Sequence, residues 1–407
     1  FGNFGAVGGA WVFSFVLFVE NNLSFLSLGK LRASYGITGN DQIGDYQYLD
    51  SWSSSTFPYG GQSGLSPARA FNPNFSWETN RKLDISLELG FLKDRVSLIT
   101  SYYNNRSDDQ LVGQTLSPQS GFSSYTSNFP ALVENKGLEF DLNTQNIKKK
   151  NFTWNTAFNI SFPGNKLLRY DNLASSGDAS GYEVGKSTRI IKGFKFTGVN
   201  PNTGVPEFLD VNRDGLINSA GDWVVLGQTL PKFFGGLSNE FKYKNLSLDI
   251  FFQFVKQEAP TIDWGPLAGA YGGMSNKSTA VLDRWRNPGD ITSIPRATVT
   301  STNAANIAFR NFYRSSDAVW GDASYLRLKN VSLRYDLSSL TKRWKIAASS
   351  IYIQGQNLLT FTKYNGLDPE INGFDRRFVF PINPFGSVKT SAMPVLRTIA
   401  VGLNISI

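Results

Sequence analysis

The sequence predicts an all-β fold in which antiparallel strands cross a membrane as a β-barrel. Apolar and polar residues alternate along about eleven segments, and a period of two is typical of strands because successive side chains leave opposite faces. Short turns between these segments alternate with long polar connections, as in outer-membrane barrels. The most apolar run covers only residues 11–19, whereas a spanning helix needs about 20 residues. The pattern therefore favours strands as the membrane-crossing elements.

The first half of the chain contains six predicted strands, and the third shows the alternation most clearly. Leu83, Ile85 and Leu87 point to one face of this strand, whereas Asp84 and Glu88 point to the other. The turn that follows, 92–94, has the length of a hairpin loop. The six strands are predicted at 6–19, 29–36, 77–91, 95–112, 135–145 and 152–162.

The second half contains five predicted strands, at 230–242, 246–255, 324–337, 351–364 and 396–407. Closure into a barrel is expected because every backbone N–H and C=O group in lipid must be paired within the protein. Single-chain bacterial barrels have an even number of strands. A count of eleven therefore predicts that further strands of the same barrel lie upstream of residue 1.

The composition argues against an enzyme. The 407 residues include no His and no Cys, which removes the commonest general base and any thiolate chemistry. Asp108 and Asp109 are adjacent and face opposite ways in a strand, so they do not form the carboxylate pair of a glycosidase. The net charge of +8 comes from scattered residues without a nucleic-acid-binding motif. We therefore expect no catalytic cofactor and no nucleic-acid partner.

One loop places oxygen-bearing residues at the spacing of a calcium site. Residues 210–218 read DVNRDGLIN, and hard cations such as Ca²⁺ prefer oxygen ligands arranged in this way. An EF-hand has its acid at position twelve, whereas here the acid comes one residue later. The alternative is a loop of Asx turns without an ion. The predicted ligands of a structural Ca²⁺ are the side chains of Asp210, Asn212, Asp214, Asn218 and Asp222 and the carbonyl of Leu216.

Aromatic residues in the long connections are the candidates for contact with a ligand. Their flat faces pack against sugar rings and against peptide side chains alike. The alternative is packing within the connections or contact with a capping partner. The candidates are Trp52, Tyr59, Trp264, Tyr271 and Trp320.

Nine short phrases are spread over nearly the whole chain. They are 31–40 (LRASYGITGN), 43–46 (IGDY), 72–74 (NPN), 77–79 (WET), 102–104 (YYN), 135–139 (NKGLE), 322–331 (DASYLRLKNV), 356–358 (QNL) and 366–370 (GLDPE). In this order and spacing they resemble the C-terminal part of the SusC/RagA family of TonB-linked outer-membrane transporters. The resemblance implies a large plugged barrel, and barrels of this kind have about 22 strands.

The resemblance therefore makes residues 1–407 the C-terminal part of one such barrel, in the outer membrane of a Gram-negative bacterium. It implies that the N-terminal plug and the segment that contacts TonB lie before residue 1. The long connections are expected outside the cell and the short turns in the periplasm. The long connections are predicted at 41–76, 113–134, 163–229, 258–322 and 365–393.

The function implied by the resemblance is TonB-dependent import of nutrient oligomers through a polar lumen. The implied partners are TonB, outer-membrane lipid and a SusD-like surface lipoprotein that caps the barrel and captures the ligand. Glycans and peptides are both candidate cargo. The alternatives are a siderophore or vitamin receptor of the same architecture and, from another class, a secreted carbohydrate-binding β-domain.

Overall fold

The architecture is dominated by one antiparallel sheet of eleven strands, each paired with the next along the chain. The structure is a computed structural model that describes residues 3–40, 49–55, 60–69, 72, 76–115, 119, 122, 124–176, 178–261, 279–344, 346–366, 368–370, 374–375, 387–388 and 394–406. Within these ranges, no helix is both long enough and apolar enough to cross a membrane.

The eleven strands of this sheet, which we call the wall, match the predicted number, and the all-β prediction is confirmed. Their bounds are β1 Gly5–Val12, β2 Leu26–Asn40, β3 Glu78–Phe91, β4 Val96–Asp108, β5 Ala131–Lys149, β6 Phe152–Tyr170, β7 Phe233–Tyr243, β8 Leu246–Lys256, β9 Tyr325–Asp336, β10 Ala348–Thr362 and β11 Thr398–Ser406. Among the described residues, β1 and β11 form the two edges and pair on one side only.

Shorter elements occupy the connections. Six two-stranded ladders pair Ser51–Ser54 with Leu65–Arg69, Gln110–Thr115 with Ser124–Phe129, Ile190–Gly193 with Val224–Gln228, Phe196–Val199 with Pro206–Phe208, Glu258–Pro260 with Trp320–Asp322, and Phe374–Asp375 with Ser387–Val388. The α-helices are Leu17–Asn22, Ser219–Asp222, Ala304–Asn311 and Ser338–Thr341, and the 3₁₀ turns are Phe13–Phe15, Leu173–Ser175, Thr279–Asp283, Tyr313–Ser315, Asp317–Val319 and Lys342–Trp344.

The register of the wall gives it one apolar and one polar face. Ile85 of β3 lies opposite Ala33 of β2 and Tyr102 of β4. Its neighbour Asp84 lies opposite Ser34 and Tyr103 on the other face. Because the period of a strand is two residues, the apolar stripes of successive strands meet across the sheet. We call the polar face the inner wall.

The connections sort by length to opposite ends of the wall, as predicted. The short ones are 13–25, 92–95, 150–151, 244–245 and 337–347. The long ones are 41–77, 109–130, 171–232, 257–324 and 363–397.

Several predicted element bounds are wrong. The strand predicted at 6–19 ends at Val12, because the continuous apolar run after it turns into a 3₁₀ turn and a short helix. The strand predicted at 95–112 ends at Asp108, since Asp109 has a φ of 57° and redirects the chain. Strands β5 and β6 extend into the loops predicted at 113–134 and 163–229, so the bounds of those loops are also wrong.

Candidate functional site

The inner wall carries charged side chains that are paired with one another. On β3, the carboxylate of Glu88 forms an ion pair with Arg32 of β2 at 2.8 Å. The same carboxylate lies 3.6 Å from the ammonium group of Lys30. The neighbouring Ser86 lies 3.1 Å from Ser101 of β4, oxygen to oxygen. These contacts follow from the register, which places Arg32 opposite Ser86 and Lys30 opposite Glu88. The result is a polar surface of mixed charge along the inside of the wall.

A second cluster surrounds Glu134 at the start of β5, on the outward face beyond the apolar stripe, since Glu134 lies opposite Arg106 in the same unshifted register that places Leu138 opposite Tyr102. Its carboxylate pairs with Arg106 of β4 at 2.9 Å and with Lys136 at 3.1 Å. The amide of Asn104 donates a hydrogen bond to it at 3.3 Å. Glu134 is buried, so these donors replace the water that a charged carboxylate would otherwise require.

A recess of about 320 Å³ opens on the inner wall near the short connections. It lies beside Arg95, whose guanidinium donates to the carbonyl oxygen of Gln145. Polar side chains of four strands line it, among them Ser97, Asn143, Asn155, Ser238 and Glu240. The recess therefore offers hydrogen-bond donors and acceptors to a polar molecule or a polar protein segment.

The most deeply buried charges of the wall lie near the long-connection end of β9. The guanidinium of Arg327 is 2% exposed and pairs with Asp368, 4% exposed, at 2.6 Å. It also contacts Glu370, which in turn pairs with Lys329 at 2.6 Å. In the pairing of β9 with β8, a register shift between Leu328 and Asn330 leaves Lys329 as an extra residue. This cluster ties the connection 363–397 to the inner wall.

The carboxylate of Asp368 is held in its charged form. Burial acts to raise its pKa, but the hydrogen bonds from Arg327 and from the amides of Glu370 and Val395 outweigh burial, so the pKa is lowered. The amide bonds are 2.9 Å and 3.2 Å long. A buried carboxylate with this many donors is stable only while each donor stays in place.

Sequence reasoning missed the Arg327 cluster as a site. Its members occur in the phrases at 322–331 and 366–370, which we used only to identify a resemblance. The available signal was charge within a strand of alternating pattern, since Arg327 and Lys329 are charged and flank the apolar Leu328.

Two long connections fold together into one unit, which we call the loop lobe, made of 190–228 and 279–322. Its core consists of Ile191 from the first connection and Phe309, Tyr313 and Val319 from the second. Phe196 and Phe208 pack against this core with their rings in tilted or edge-on contact. Burial of these aromatic side chains gives the lobe a hydrophobic core separate from the wall.

Polar contacts also join the two halves of the lobe. The amide of Phe194 donates to the carbonyl of Ser315 at 2.8 Å, and the amide of Asp317 donates back to Phe194 at 3.2 Å. The carboxylate of Asp317 accepts from the amide of Phe196 at 2.8 Å and forms an ion pair with Lys195. The two connections are thus paired through their backbones as well as through apolar contacts.

Of the predicted aromatic ligand contacts, the structure describes Trp52 and Trp320, which lie in different long connections. Trp52 lies on the small hairpin of the first long connection, is 58% exposed, and donates to Asp50 at 3.2 Å. Trp320 packs against the core of the loop lobe and donates to Glu258 at 3.3 Å. Tyr59, Trp264 and Tyr271 lie outside the described residues. Ligand contact by these five residues stays a prediction.

The predicted calcium loop is built from Asx turns. The carboxylate of Asp210 accepts the amides of Arg213 and Gly215 at 2.6 and 2.8 Å. Asp214 accepts the amide of Leu216 at 2.8 Å and the side-chain amide of Asn212 at the same distance. The Gly215 φ of 81° provides the sharp turn that the pattern requires.

The last two predicted ligands brace the end of the same loop. Asn218 caps the helix Ser219–Asp222 by accepting the amides of Ala220 and Gly221. Asp222 is buried and accepts the amides of Val211 and Asn218, both at 2.8 Å, and these bonds lower the pKa of its carboxyl. Among the described residues, no group of three or more His, Cys, Asp or Glu side chains is gathered as a metal site. Binding of Ca²⁺ stays a prediction.

Comparison with known proteins identifies relatives along nearly the full chain. The sequence model of the family described as "TonB dependent receptor-like, beta-barrel" matches residues 3–358. TonB-dependent receptor P3 of Formosa agariphila is 32% identical over 405 residues, which is 92% of this chain and 39% of that protein. TonB-dependent receptor SusC of Bacteroides thetaiotaomicron is 26% identical, over 87% of this chain and 36% of that protein.

A solved structure described as the RagAB peptide importer in the "open-open" state has a similar fold. It superposes with a TM-score of 0.80 at 24% identity, over 99% of this chain and 42% of that chain. The present chain spans about two fifths of the length of the curated relatives it matches.

Proposed function

Because this chain belongs to the TonB-dependent receptor-like β-barrel family and is of the SusC/RagA type, we propose that it forms part of the wall of an outer-membrane importer of nutrient oligomers. The observation that carries this proposal is the wall itself. Eleven strands present an apolar stripe outward and a hydrogen-bonded, charged face inward. Such a wall suits passage of a polar solute and needs no covalent chemistry.

The wall is completed by strands from the rest of the protein. Both β1 and β11 leave one row of backbone groups without a neighbouring strand. In hydrocarbon each such group costs several kcal/mol, so a membrane-spanning sheet closes on itself. We therefore propose that residues 1–407 are the C-terminal part of a larger barrel, with the plug and the TonB-contacting segment elsewhere in the protein. The recess near Arg95 then faces the plug.

A SusD-like surface lipoprotein is the proposed partner at the long-connection end. The loop lobe supports this proposal because its own core makes it a rigid platform rather than a set of flexible loops. Glycans or peptides are the proposed cargo. The similar solved structure is that of a peptide importer, which is a property of that protein alone and leaves the cargo of the present chain open between the two classes.

A structural Ca²⁺ ion in the loop 210–222 is also proposed. The support is the spacing of Asp210, Asn212 and Asp214 and the left-handed turn at Gly215. Asp222 would act there as a brace for the loop backbone. The Asx turns alone are the alternative explanation of the same geometry.

Uptake by intact cells tests the proposed function. Cells that carry or lack the full-length receptor are supplied with fluorescent oligosaccharides, fluorescent oligopeptides or a labelled siderophore. We expect receptor-dependent uptake of one of the two oligomer classes. A protonophore should abolish this uptake, because TonB passes on energy from the inner membrane. Uptake of the siderophore alone would replace the oligomer proposal with the siderophore-receptor alternative.

Capture of the partner is tested in the same cells. A tag on the receptor should co-purify one surface lipoprotein in detergent. A soluble receptor that binds glycan without detergent would instead support the secreted carbohydrate-binding alternative.

A further inference from the structure

The short connections carry most of the net positive charge of the chain. Together with two strand residues on either side, their described residues include nine Lys or Arg and only Glu20, Asp94 and Asp336 as acids. Counted over the full sequence, the same stretches also contain Lys345, so they hold an excess of seven positive charges against +8 for the whole chain. The nine cations are Lys93, Arg95, Lys148, Lys149, Lys150, Lys242, Lys244, Lys342 and Arg343.

These cations are exposed and stand apart from the ion pairs of the protein. None of the nine forms an ion pair with a carboxylate in the part of the chain that the structure describes. Arg95 donates to the backbone carbonyls of Gln145 and Asn146, which leaves its charge uncompensated. The ion pairs of the described residues lie instead along the strands of the wall and in the long connections.

Register separates the cations that face outward from those that face the lumen. Lys149 lies opposite Phe152, which belongs to the outward apolar stripe of β6. Lys148 and Lys242 both lie opposite Thr153, which points inward. Lys150, Lys244, Lys342 and Arg343 stand in the short connections themselves, as does Lys93, whose neighbour Asp94 offsets its charge. The outward and turn positions are therefore the ones that reach a surrounding bilayer.

Exposed aromatic side chains mark the same level of the wall. The ammonium group of Lys244 lies 5.4 Å from the ring of Tyr243, and the guanidinium of Arg343 lies 4.6 Å from the ring of Trp344. Both rings are more than half exposed. The first short connection adds the exposed Phe15 and Phe18. Aromatic girdles of this kind sit at the boundary between hydrocarbon and headgroups.

We propose that Lys149, Lys150, Lys244, Lys342 and Arg343 form a basic belt that binds the phosphate groups of anionic phospholipids. The inference rests on the proposed membrane-spanning function of the wall. Uncompensated cations held beside interfacial aromatics are within a Debye length of the headgroups and attract anionic lipid at physiological salt. In the proposed orientation, the leaflet concerned is the periplasmic one.

Native mass spectrometry of the full-length receptor in detergent tests the basic belt. The receptor is titrated with phosphatidylglycerol or with phosphatidylcholine of the same chains. We expect preferential binding of phosphatidylglycerol that weakens with salt and is not displaced by inorganic phosphate. The variant Lys149→Gln/Lys150→Gln/Lys244→Gln/Lys342→Gln/Arg343→Gln should bind the first phosphatidylglycerol about fivefold more weakly or worse.

A matched control removes five exposed positive charges from the long connections. It is the variant Lys186→Gln/Arg189→Gln/Arg213→Gln/Arg286→Gln/Arg310→Gln. The control should bind phosphatidylglycerol like the wild type. Equal binding by the basic-belt variant and the wild type would overturn the inference, as would an equal loss in the control, which would indicate a general effect of net charge.

Two further measurements distinguish a loss of lipid binding from a loss of barrel assembly or of transport. Heat-modifiable migration on a gel reports whether each variant forms a barrel. Should the five-fold variant fail to assemble, Lys149→Gln/Lys150→Gln alone should still weaken binding, and wild-type binding by that pair would overturn the inference. Oligomer uptake is scored in separate cells, so loss of the proposed function leaves the lipid result interpretable.

Discussion

Val331 and Ser332 are neighbours in β9 whose side chains leave opposite faces of the wall. Val331 lies opposite Ile250 and Gly355 on the outward face, whereas Ser332 lies opposite Asp249 and Gln354 on the inner one. Membrane-facing and lumen-facing positions differ sharply in the cost of a charge.

Val331→Arg should destabilise the folded barrel by about 2–4 kcal/mol, because an unpaired charge then faces hydrocarbon. Ser332→Arg should cost much less, since its charge lies on the polar inner wall beside Asp249 of the neighbouring strand. Urea unfolding of each full-length variant in lipid vesicles, followed by gel mobility, measures the difference. Equal losses in the two variants would mean that the outward face has been misassigned.

Asp368 makes the attachment of the connection 363–397 dependent on pH. Its pKa lies below the ordinary value of 3.8 in the folded protein. The stabilisation is therefore present above about pH 4 and is lost as the pH falls through the lowered folded pKa. We expect pepsin to cleave near 363–370 slowly at about pH 4.5 and faster as the pH approaches 2.

Asp368→Asn is the control for the pH dependence of pepsin itself. Its side chain is neutral throughout, so the ratio of wild-type to variant cleavage rates should rise as the pH falls. A ratio that is constant over this range would contradict the role given to Asp368.

At the scale of elements, the alternating pattern predicts the number of wall strands but not their ends. The strand at Phe152–Tyr170 continues through Pro163, which normally ends a strand. The pairing of this strand with β7 stops at Ser161, so Pro163 pairs only with β5. The missing N–H of Pro163 therefore costs little sheet stability there. At 13–19 every residue except Ser14 is apolar, and periodicity does not separate strand from helix in such a run.

The candidate site is harder to predict than the strands, because periodicity describes one element at a time. The Arg327 cluster joins a strand to a connection that returns to it from 41 residues away in sequence. The spacing of residues within a single strand does not predict which distant connection will contact that strand. The loop lobe is likewise a product of two separate connections, each of which reads as polar loop on its own.

Phe309 should be essential for the loop lobe and not for the wall. It is 1% exposed, whereas Ile307 on the same helix is 42% exposed. Phe309→Ala should destabilise the lobe by about 3–5 kcal/mol through the cavity it leaves. Hydrogen exchange should then speed up in both 190–228 and 279–322 while the wall strands stay protected.

Ile307→Ala provides the matched control and should leave exchange in both segments unchanged. Faster exchange confined to 279–322 would mean that the two connections do not share one core.

The calcium proposal is tested on its own loop. Asp210→Ala/Asp214→Ala should abolish protection of 205–223 from protease by added Ca²⁺, without affecting barrel mobility on a gel. Chelation should reproduce the effect in the unmodified receptor. Protease sensitivity that is the same with Ca²⁺ and with chelator would leave the Asx turns as the whole explanation.

At the scale of the whole molecule, the sorting of connections by length predicts sidedness. The chain contains no Cys, so single Cys substitutions can be labelled without background from it. Ser301→Cys in a long connection should react with a membrane-impermeant maleimide on intact cells. Lys149→Cys should react only after the outer membrane is permeabilised. Surface labelling at position 149 would reverse the proposed orientation.

The loop lobe also has a consequence for how such a wall is inserted. Its two halves flank the β7–β8 hairpin, so in the proposed orientation its core would form only after both connections have crossed the bilayer. Withdrawing either connection would then require Ile191 and Phe309 to lose their packing in that core. In the proposed orientation, folding of the loop lobe would therefore favour insertion of this hairpin in one direction.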